Sequence, residues 1–396
     1  MSDFEWLRDP LAFLIGPVSS ADFFENYYEQ KALLALRNEP GRFKDLLSLD
    51  RIDKLIAGVD LQAGSLDMAR SEPRITRDDY TFSNGFVDRG AVVHNFQKGA
   101  TIILPHLHQQ DAVLADFCRA MENVFCTHLQ TNIYLTPPGY QGFNIHYDDH
   151  DVFVVQVSGS KDWRFYNTPI QNPYRGESFR PDVHKAGDPV ETFTMNAGDC
   201  IYIPRGLMHD ASTAGDEPSL HITVGLIVKT WADLMLEAVS EVALRVPDFR
   251  RSLPPGFARD DYDKSSAKSY FKDLVGKFAE NADFEEAFEL FVENFIRSRS
   301  TTTRGGLLSA TTPIGVDDRF RLRANTPFRL RSNDEEALII APGGEIPMDV
   351  KAVKGLEKAL SGEDFGLDVF KDLDEADAQA ILKKIIAFGL VEKINA

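Results

Sequence analysis

The sequence predicts an α+β fold: a barrel or sandwich of short strands, entered through helices and followed by a second helical stretch and a mixed C-terminal module. Three observations carry this. Residues 131–228 break into β-like runs separated by Pro/Gly turns, "TNIYLTPP", "DVFVVQVSG", "KDWRFYN", "VETFTMNAGD", "CIYIPRG" and "SLHITVGLIV", and strands at that spacing build barrels or sandwiches. Amphipathic helical patterns lie on both sides of them. The chain has 396 residues, more than one core holds, so two or three domains are expected.

In chain order, "SSADFFENYYEQKALLALRN" opens with Ser19 and Ser20 as candidate N-caps ahead of a periodic apolar pattern. "SLDRIDKLIAG" reads as a second helix stopped at Gly58. From about residue 92 the texture becomes β-like with "AVVHNF", and "QQDAVLADFCRAMENVF" is an amphipathic helix before the strands. Beyond Lys229, "WADLMLEAVSEVALRV", "SYFKDLVGKF" and "DFEEAFELFVENFIRSR" are amphipathic helices, with a Pro/Gly break at "LPPGF". Their Leu and Phe residues need a covering surface, either the barrel or a second subunit. From about residue 310, the hairpin-like "RFRLRA", "PFRLRS" and "ALIIAPGGEIPM" precede helices "DVKAVKGLEKALSG" and "DEADAQAILKKIIAFG" and a closing "LVEKIN". That order resembles a winged helix. The expected domains are a helical lead-in (1–95), a barrel (96–229), a helical region (230–305) and the winged-helix-like module (306–396).

Composition narrows the function classes. Hydrophobic residues at 43% and charged residues at 26% are an ordinary globular balance, and no apolar run approaches the roughly 20 residues a bilayer needs. The opening "MSDFEWLRDPLAFLIG" lacks the basic and apolar regions of a signal peptide. Cys118, Cys126 and Cys200 form no CxxC pair, and an odd count argues against a disulfide framework; a cytoplasmic location is expected. The net charge of −18 repels phosphate backbones and suits basic partners. Residues 301–396 hold 13 Lys/Arg against 16 Asp/Glu, a net of −3, so this module lacks the basic surface of a DNA-binding wing.

The chemistry concentrates in "GFNIHYDDHDVFVVQVSGSKDWRFY" (142–166), which runs polar, titratable groups straight into an apolar strand. His146 and Asp148, two apart, point the same way on an extended chain. Alone, such an HxD is usually a solvated turn. About sixty residues on, "GDCIYIPRGLMH" (198–209) reads G-x5-P-x-G-x2-H, a spacing that resembles the second motif of the cupin superfamily, with turns that would swing His209 back over the barrel. His146, Asp148 and His209 together make a 2-His-1-carboxylate facial triad, which leaves open positions on a non-haem Fe(II) ion. Asp149, His150 and Asp151 read as a polar rim, with contact to substrate as the functional alternative. The His106/His108 pair precedes a helix without a third ligand and is read as structural.

Alternation also selects other polar groups. Asn132, Tyr134 and Thr136 share one face of "TNIYLTPP", and Ser219, His221 and Thr223 one face of "SLHITVG". Such faces normally meet solvent, but in a barrel holding a metal the polar face can be the inner one. Lys161, just past the turn "SGS", could then reach inside and pair with a carboxylate; its other reading is a solvated turn lysine.

"TNIYLTPPGYQGFNIHYDDHDVFVVQVSGSKDWRFY", with "AGDCIYIPRGLMHDA" and "SLHIT", resembles the JmjC-type cupin oxygenases known as ribosomal oxygenases. "FFENYYEQKALL" is similar to their lead-in helix. The resemblance implies a double-stranded β-helix (cupin/JmjC) barrel, a helical dimerisation region and a C-terminal winged helix. It further implies Fe(II)- and 2-oxoglutarate-dependent hydroxylation, with O2 as co-substrate, of an Arg or His side chain in a ribosomal protein. His146, Asp148 and His209 would hold iron; Lys161, helped by Tyr134, would bind the distal carboxylate of 2-oxoglutarate; Asn132 and Ser219 would line the pocket. No catalytic residue beyond the metal ligands is expected. A basic protein or peptide substrate and a homodimer complete the expectation. The competing readings are a hydroxylase of a ribosomally made peptide, a metal-binding cupin without oxygenase activity, and a regulator using the winged module on DNA. A histone demethylase is a further JmjC possibility, but no chromatin-reading segment is visible.

Overall fold

Short polar side chains start the N-terminal helices. The computed structural model describes residues 4–70, 72–140, 144–315 and 317–394. Asp9 caps α1 (Pro10–Ile15), Ser19 caps α2 (Ser20–Asn26), Ser48 caps α3 (Leu49–Gly58), Asp88 caps α4 (Arg89–Gln97) and Asp111 caps α5 (Ala112–Phe125). Each accepts a hydrogen bond from a backbone N–H of the first turn, a contact worth about 1 kcal/mol per helix. The chain divides into two compact units, Met1–Val228 and Lys229–Ala396.

Among its described residues the first unit carries ten strands: β1 (Leu33–Ala35), β2 (Asp67–Ala69), β3 (Thr101–Pro105), β4 (His128–Thr136), β5 (Asp151–Ser158), β6 (Ser160–Phe165), β7 (Glu191–Asn196), β8 (Cys200–Ile203), β9 (His209–Ala214) and β10 (Ser219–Ile227). Seven form one sheet in the order β1-β8-β5-β10-β4-β3-β2, and three form a second, β7-β6-β9. All pairs are antiparallel. Ile133, Leu135, Phe153, Val155, Leu220, Ile222 and Val224 belong to one buried core with Trp6, Leu11, Leu14, Leu114, Phe117 and Met121 from the helices. That face of the large sheet is therefore covered by α1 and α5. The opposite face carries Val152, Val154, Ile201 and Ile203, which pack with Trp163, Phe165 and Met195 of the small sheet. β5 reads as an unbroken apolar run because both its faces are buried.

The second unit contains α6 (Trp231–Arg245), α7 (Ser265–Asn281), α8 (Phe284–Ser298), α9 (Gly306–Thr311), β11 (Phe320–Leu322), β12 (Arg329–Ser332), β13 (Ala337–Ala341), β14 (Gly344–Met348), α10 (Val353–Ala359), α11 (Glu375–Ala387) and β15 (Val391–Lys393). Leu234 and Ala238 of α6 pack on Ala287 of α8. Strands β12-β13-β14 and β11-β15 form two small sheets, and Ile339, Ile346, Leu356, Leu382 and Ile385 fill a core beneath α10 and α11.

Three local expectations are corrected. The lead-in is not wholly helical: α2 ends at Asn26, Glu29 takes a positive φ of 58°, and Leu33–Ala35 becomes β1, while β2 joins the other edge of the same sheet. "AVVHNF" is helix, because Asp88 caps it and only Val92 of α4 is fully buried. The strands β3 and β9 went unpredicted; β9 ("HDASTA") has too few β-branched or aromatic residues to announce itself.

The turn ahead of β8 ties the lead-in to the barrel. Gly198 has φ +96°, and a Cβ there would meet the carbonyl oxygen of Glu39 at 2.0 Å. Beside it, buried Asp199 accepts from the backbone N–H groups of Arg37 (2.6 Å), Asn38 (2.7 Å) and Asn196 (2.7 Å). Asp199→Ala removes the shared acceptor of three part-buried backbone donors and should destabilise the protein by about 2 kcal/mol. Urea unfolding with an unchanged m-value checks this; a midpoint equal to wild type would refute it.

Candidate metal centre

Two chain segments converge at the mouth of the barrel. His146 and His209 form a backbone bridge, N–H to O=C in both directions (3.1 and 2.8 Å). Asp148 follows on the first segment, and its carbonyl accepts from Gly206 N–H (3.0 Å). The segment Gln141–Phe143, which includes Gly142 and Phe143 of the sequence motif, lies outside the described residues. One ligand atom each from His146, Asp148 and His209 lies within 4.8 Å of the other two. His146 Nε2 is 3.9 Å from Asp148 Oδ1 and His209 Nε2 is 3.8 Å from Asp148 Oδ2, too far for hydrogen bonds.

The tautomers follow from the neighbours. His146 Nδ1 lies 2.8 Å from the Asn144 carbonyl and His209 Nδ1 3.0 Å from the Leu207 carbonyl. A carbonyl only accepts, so each Nδ1 carries a proton and each Nε2 is the atom turned toward Asp148. Burial and the adjacent His146 push the His209 imidazolium down to about 4, which keeps this ring neutral at ordinary pH. Two imidazoles oriented through Nδ1–H and one carboxylate suit a divalent transition metal.

Inward from the triad lies a cavity of about 100 Å³, lined on one side by Thr101, Asn132, Tyr134, Thr136, His221 and Thr223, and on another by Lys161 and Trp163. Tyr134 and His221 are register partners on β4 and β10, and their rings stack at 4.9 Å. The polar face of these strands is thus the inner one. Burial, reinforced by Asp148, pushes the Tyr134 hydroxyl up to about 12, so it stays protonated and able to donate. Lys161 is 6% exposed, and its Nζ contacts Thr136 Oγ1 at 3.4 Å. Among the described residues no carboxylate pairs with it. Thr213, its cross-strand neighbour on β9, and His221 each keep a buried polar atom, Oγ1 and Nδ1, without a hydrogen-bond partner. Among the described residues, a buried cation and the unsatisfied His221 Nδ1 on the cavity wall, with Thr213 Oγ1 buried beside Lys161, fit an anionic ligand.

The other predicted residues divide. Asn132 lines the cavity and accepts a weak contact from the His106 N–H (3.4 Å). Ser219 is fully buried and receives Gln156 Nε2 (2.8 Å); it is not among the lining residues. Asp149 accepts from Gly176 N–H (2.8 Å) in the β6–β7 loop, and His150 lines the cavity, lying against Gly225 where a Cβ would meet its ring at 2.7 Å. Asp151 is a correction: it is no rim residue but fully buried, bonded to Arg205 Nη1 and Tyr202 Oη, both at 2.6 Å. It opens β5, where alternation turns it away from Val152 and the cavity. His108 is held by Thr131 (Nδ1 to Oγ1, 3.1 Å). His221, read from the sequence as one of a row that could face inward, does line the cavity; Thr213, buried beside Lys161, was not read, and the available signal was alternation from His209 once that stretch is taken as a strand.

The family model for the JmjC domain matches residues 104–234. This chain carries a JmjC domain. Among curated proteins, this chain is 29% identical over 378 residues to the bifunctional lysine-specific demethylase and histidyl-hydroxylase NO66 of Aedes aegypti, covering 84% of this chain and 58% of the relative. It is 32% identical over 264 residues to the Dictyostelium discoideum protein of the same name (63% and 50%), and 27% identical over 313 residues to ribosomal oxygenase 1 of Danio rerio (72% and 55%). It spans about half the length of the curated relatives it matches. Among solved structures, the Escherichia coli ribosomal oxygenase YcfD in complex with cobalt and 2-oxoglutarate shares the fold, with TM-score 0.54 at 14% identity over 96% of this chain and 99% of that one. The expected JmjC/cupin barrel of mixed α and β content is the fold observed.

Lys161 yields a pH test of the JmjC cavity. Burial lowers its ammonium from 10.5 to about 7, so between those values the unfolded chain holds the proton more tightly. The stability penalty of charging it is full below about pH 7 and gone above about 10.5. Lys161→Met, without ligand, should gain most in melting temperature over wild type near pH 6, the gain shrinking toward pH 10. A gap constant with pH would show that Lys161 is not desolvated.

Proposed function

We propose that this JmjC protein is an Fe(II)- and 2-oxoglutarate-dependent hydroxylase of a protein side chain, an Arg or His of a ribosomal protein. The observation that carries the reading is the pairing of a two-His, one-carboxylate set with a buried lysine deeper in the same cavity. His146, Asp148 and His209 would hold the iron on one face, and Lys161 with Tyr134 would take the distal carboxylate of 2-oxoglutarate. Iron with 2-oxoglutarate and O2 supplies the oxidising power for inserting oxygen into a C–H bond, with succinate and CO2 as by-products. The residues' part is to bind, orient and exclude water. Lys161 would bind as the ammonium, so ligand entry draws its acidity back toward the ordinary lysine range. Tyr134 donates its hydroxyl, and Trp163, Val152 and Val154 wall the space beside the metal. The names of the curated relatives and of the similar structures support ribosomal protein as the substrate class, and the net charge of −18 suits a basic segment.

The second unit supports a protein-contact role. Arg319, Arg321, Arg323, Arg329 and Arg331 each pair with a carboxylate, of Asp368, Asp364, Glu392, Glu289 and Glu293, which offsets the positive charge of these five toward a phosphate backbone. The winged-helix-like assignment rests on its order of strands and helices. Trp231, Met235, Leu236 and Leu244 of α6 and Phe271 and Val275 of α7 are exposed. Exposed apolar side chains on this scale favour an interface, and a twofold homodimer is the commonest closed solution. No helix among the described residues is long and apolar enough to cross a membrane. The free cysteines suit the reducing cytoplasm.

Purified protein should convert 2-oxoglutarate to succinate only with Fe(II), and mass spectrometry of ribosomal proteins incubated with it should find one added oxygen. His146→Ala, Asp148→Ala or His209→Ala should abolish turnover; full activity in His209→Ala would remove the triad from the mechanism. Lys161→Ala should raise the 2-oxoglutarate requirement by roughly ten- to a hundredfold, the loss of one charge-assisted contact, with metal still bound. Light scattering should give about twice the 44.4 kDa chain mass, and Leu236→Glu should halve it. A monomeric wild type would end the dimer proposal.

A further inference from the structure

The proposed metal site is assembled from two segments that lie beyond the end of a ladder. β5 and β8 pair from Val155↔Cys200 to Val152↔Ile203. Past that last rung, the chain before β5 carries His146 and Asp148, and the chain after β8 carries His209. Two sets of backbone contacts hold them together on the cavity side: the His146/His209 bridge and the Gly206-to-Asp148 hydrogen bond. On the far side stands a charged cluster. Asp151 Oδ2 meets Arg205 Nη1 at 2.6 Å, Asp151 Oδ1 accepts from Tyr202 Oη at 2.6 Å, and the Arg205 N–H lies 3.4 Å from Oδ1. Arg205 Nη1 also reaches Glu29 Oε1 at 2.6 Å, and the Glu29 N–H donates to Tyr202 Oη at 2.9 Å.

Resting on the metal reading above, we propose that Asp151 and Arg205 are positioning residues that clamp the two ligand-bearing segments in register. Asp151 is three residues after Asp148, and Arg205 is four before His209. Each therefore sits at the point where its strand gives way to its ligand segment. Neither side chain lines the cavity, so neither touches metal or substrate. Burial is nearly complete: Asp151 is 0% exposed and the Arg205 side chain 6%. Buried ion pairs rarely stabilise a fold more than apolar packing would, because desolvation offsets the attraction. What such a pair supplies is a fixed geometry, since removing Arg205 strands the buried Asp151 carboxylate and removing Asp151 leaves Arg205 held by Glu29 alone. The guanidinium is suited to this, being planar and permanently charged. Glu29, from the chain between α2 and β1, completes the cluster.

The test is Co(II) binding, followed by calorimetry and by visible absorption of the bound ion, on wild type, Asp151→Asn, Arg205→Lys and two controls. His209→Ala removes a proposed ligand. Asp199→Ala destabilises the same unit without contacting either ligand segment. Asp151→Asn and Arg205→Lys should weaken Co(II) binding by roughly ten- to a hundredfold, as for other outer partners of metal ligands, with an altered absorption band. Asp199→Ala should lower the unfolding midpoint but bind Co(II) as wild type does. If both clamp variants bind Co(II) with wild-type affinity and spectrum, the proposal is overturned. If they weaken binding no more than Asp199→Ala does, it is overturned equally, because the effect is then general destabilisation. Failure of the metal reading looks different: wild type and His209→Ala would bind Co(II) alike. Arg205→Lys keeps the charge, so it provides a folded test should Asp151→Asn fail to fold.

Discussion

Everything at the site depends on which face of the seven-stranded sheet is covered. Ile133, Leu135, Leu220, Ile222 and Val224 face α1 and α5, and Trp6, Leu11, Phe117 and Met121 bury them. At about 25 cal/mol per Å² of apolar surface, this is the dominant local driving force, and alternation passes its consequence to the other face. Asn132, Tyr134, Thr136, His221 and Thr223 are turned inward together. A sheet with a bare outer face would put those apolar residues inside and leave the polar row in water. The N-terminal helices thus decide the chemistry of a cavity they never touch.

Inside, the cost of that arrangement falls on a few groups. Lys161 has no carboxylate partner among the described residues, its ammonium is lowered to about 7, and Thr213 and His221 keep unpartnered polar atoms. Buried polar groups without partners are destabilising, and such conflicts concentrate where a protein binds something. His221 shows the coupling: burial, then the neighbouring Lys161, holds it well below the ordinary histidine range, so it stays neutral and its ring can stack on Tyr134. A bound anion would relieve the lysine and leave that stack undisturbed.

Legibility in the sequence followed the strength of local patterning. The triad could be read because His146-x-Asp148 and the G-x5-P-x-G-x2-H stretch fix spacing across turns, and the structure brings their ligand atoms together. The polar face of β4 could be read as a face, but its direction depended on helices remote in sequence. "AVVHNF" misled because two valines favour strand locally while Asp88, just upstream, supplies a helix cap. Asp151 misled for another reason. It continues a run of polar residues, yet it is the first residue of β5, where one step of alternation separates a cavity rim from the opposite face. Its partner Arg205 lies more than fifty residues away, and no local pattern announces such a pair.

The inner face of the barrel is itself divided. Polar residues come from β3, β4 and β10, whereas Val152, Val154, Ile201 and Ile203 on β5 and β8 are apolar and pack with Trp163, Phe165 and Met195. The His–Asp–His set lies at the mouth, beyond the ladder that carries the apolar half. Under the proposed function this division would answer two opposed demands. An anionic co-substrate needs donors and a cation, whereas a reactive centre needs water kept away from its open positions. Placing the donors on one group of strands and the apolar wall on another lets a single small cavity meet both. Trp163 stands between them, with its ring 5.8 Å from that of His209 and 6.4 Å from that of His221. Its position on β6, two residues from Lys161, follows from the same strand alternation that carries the lysine inside.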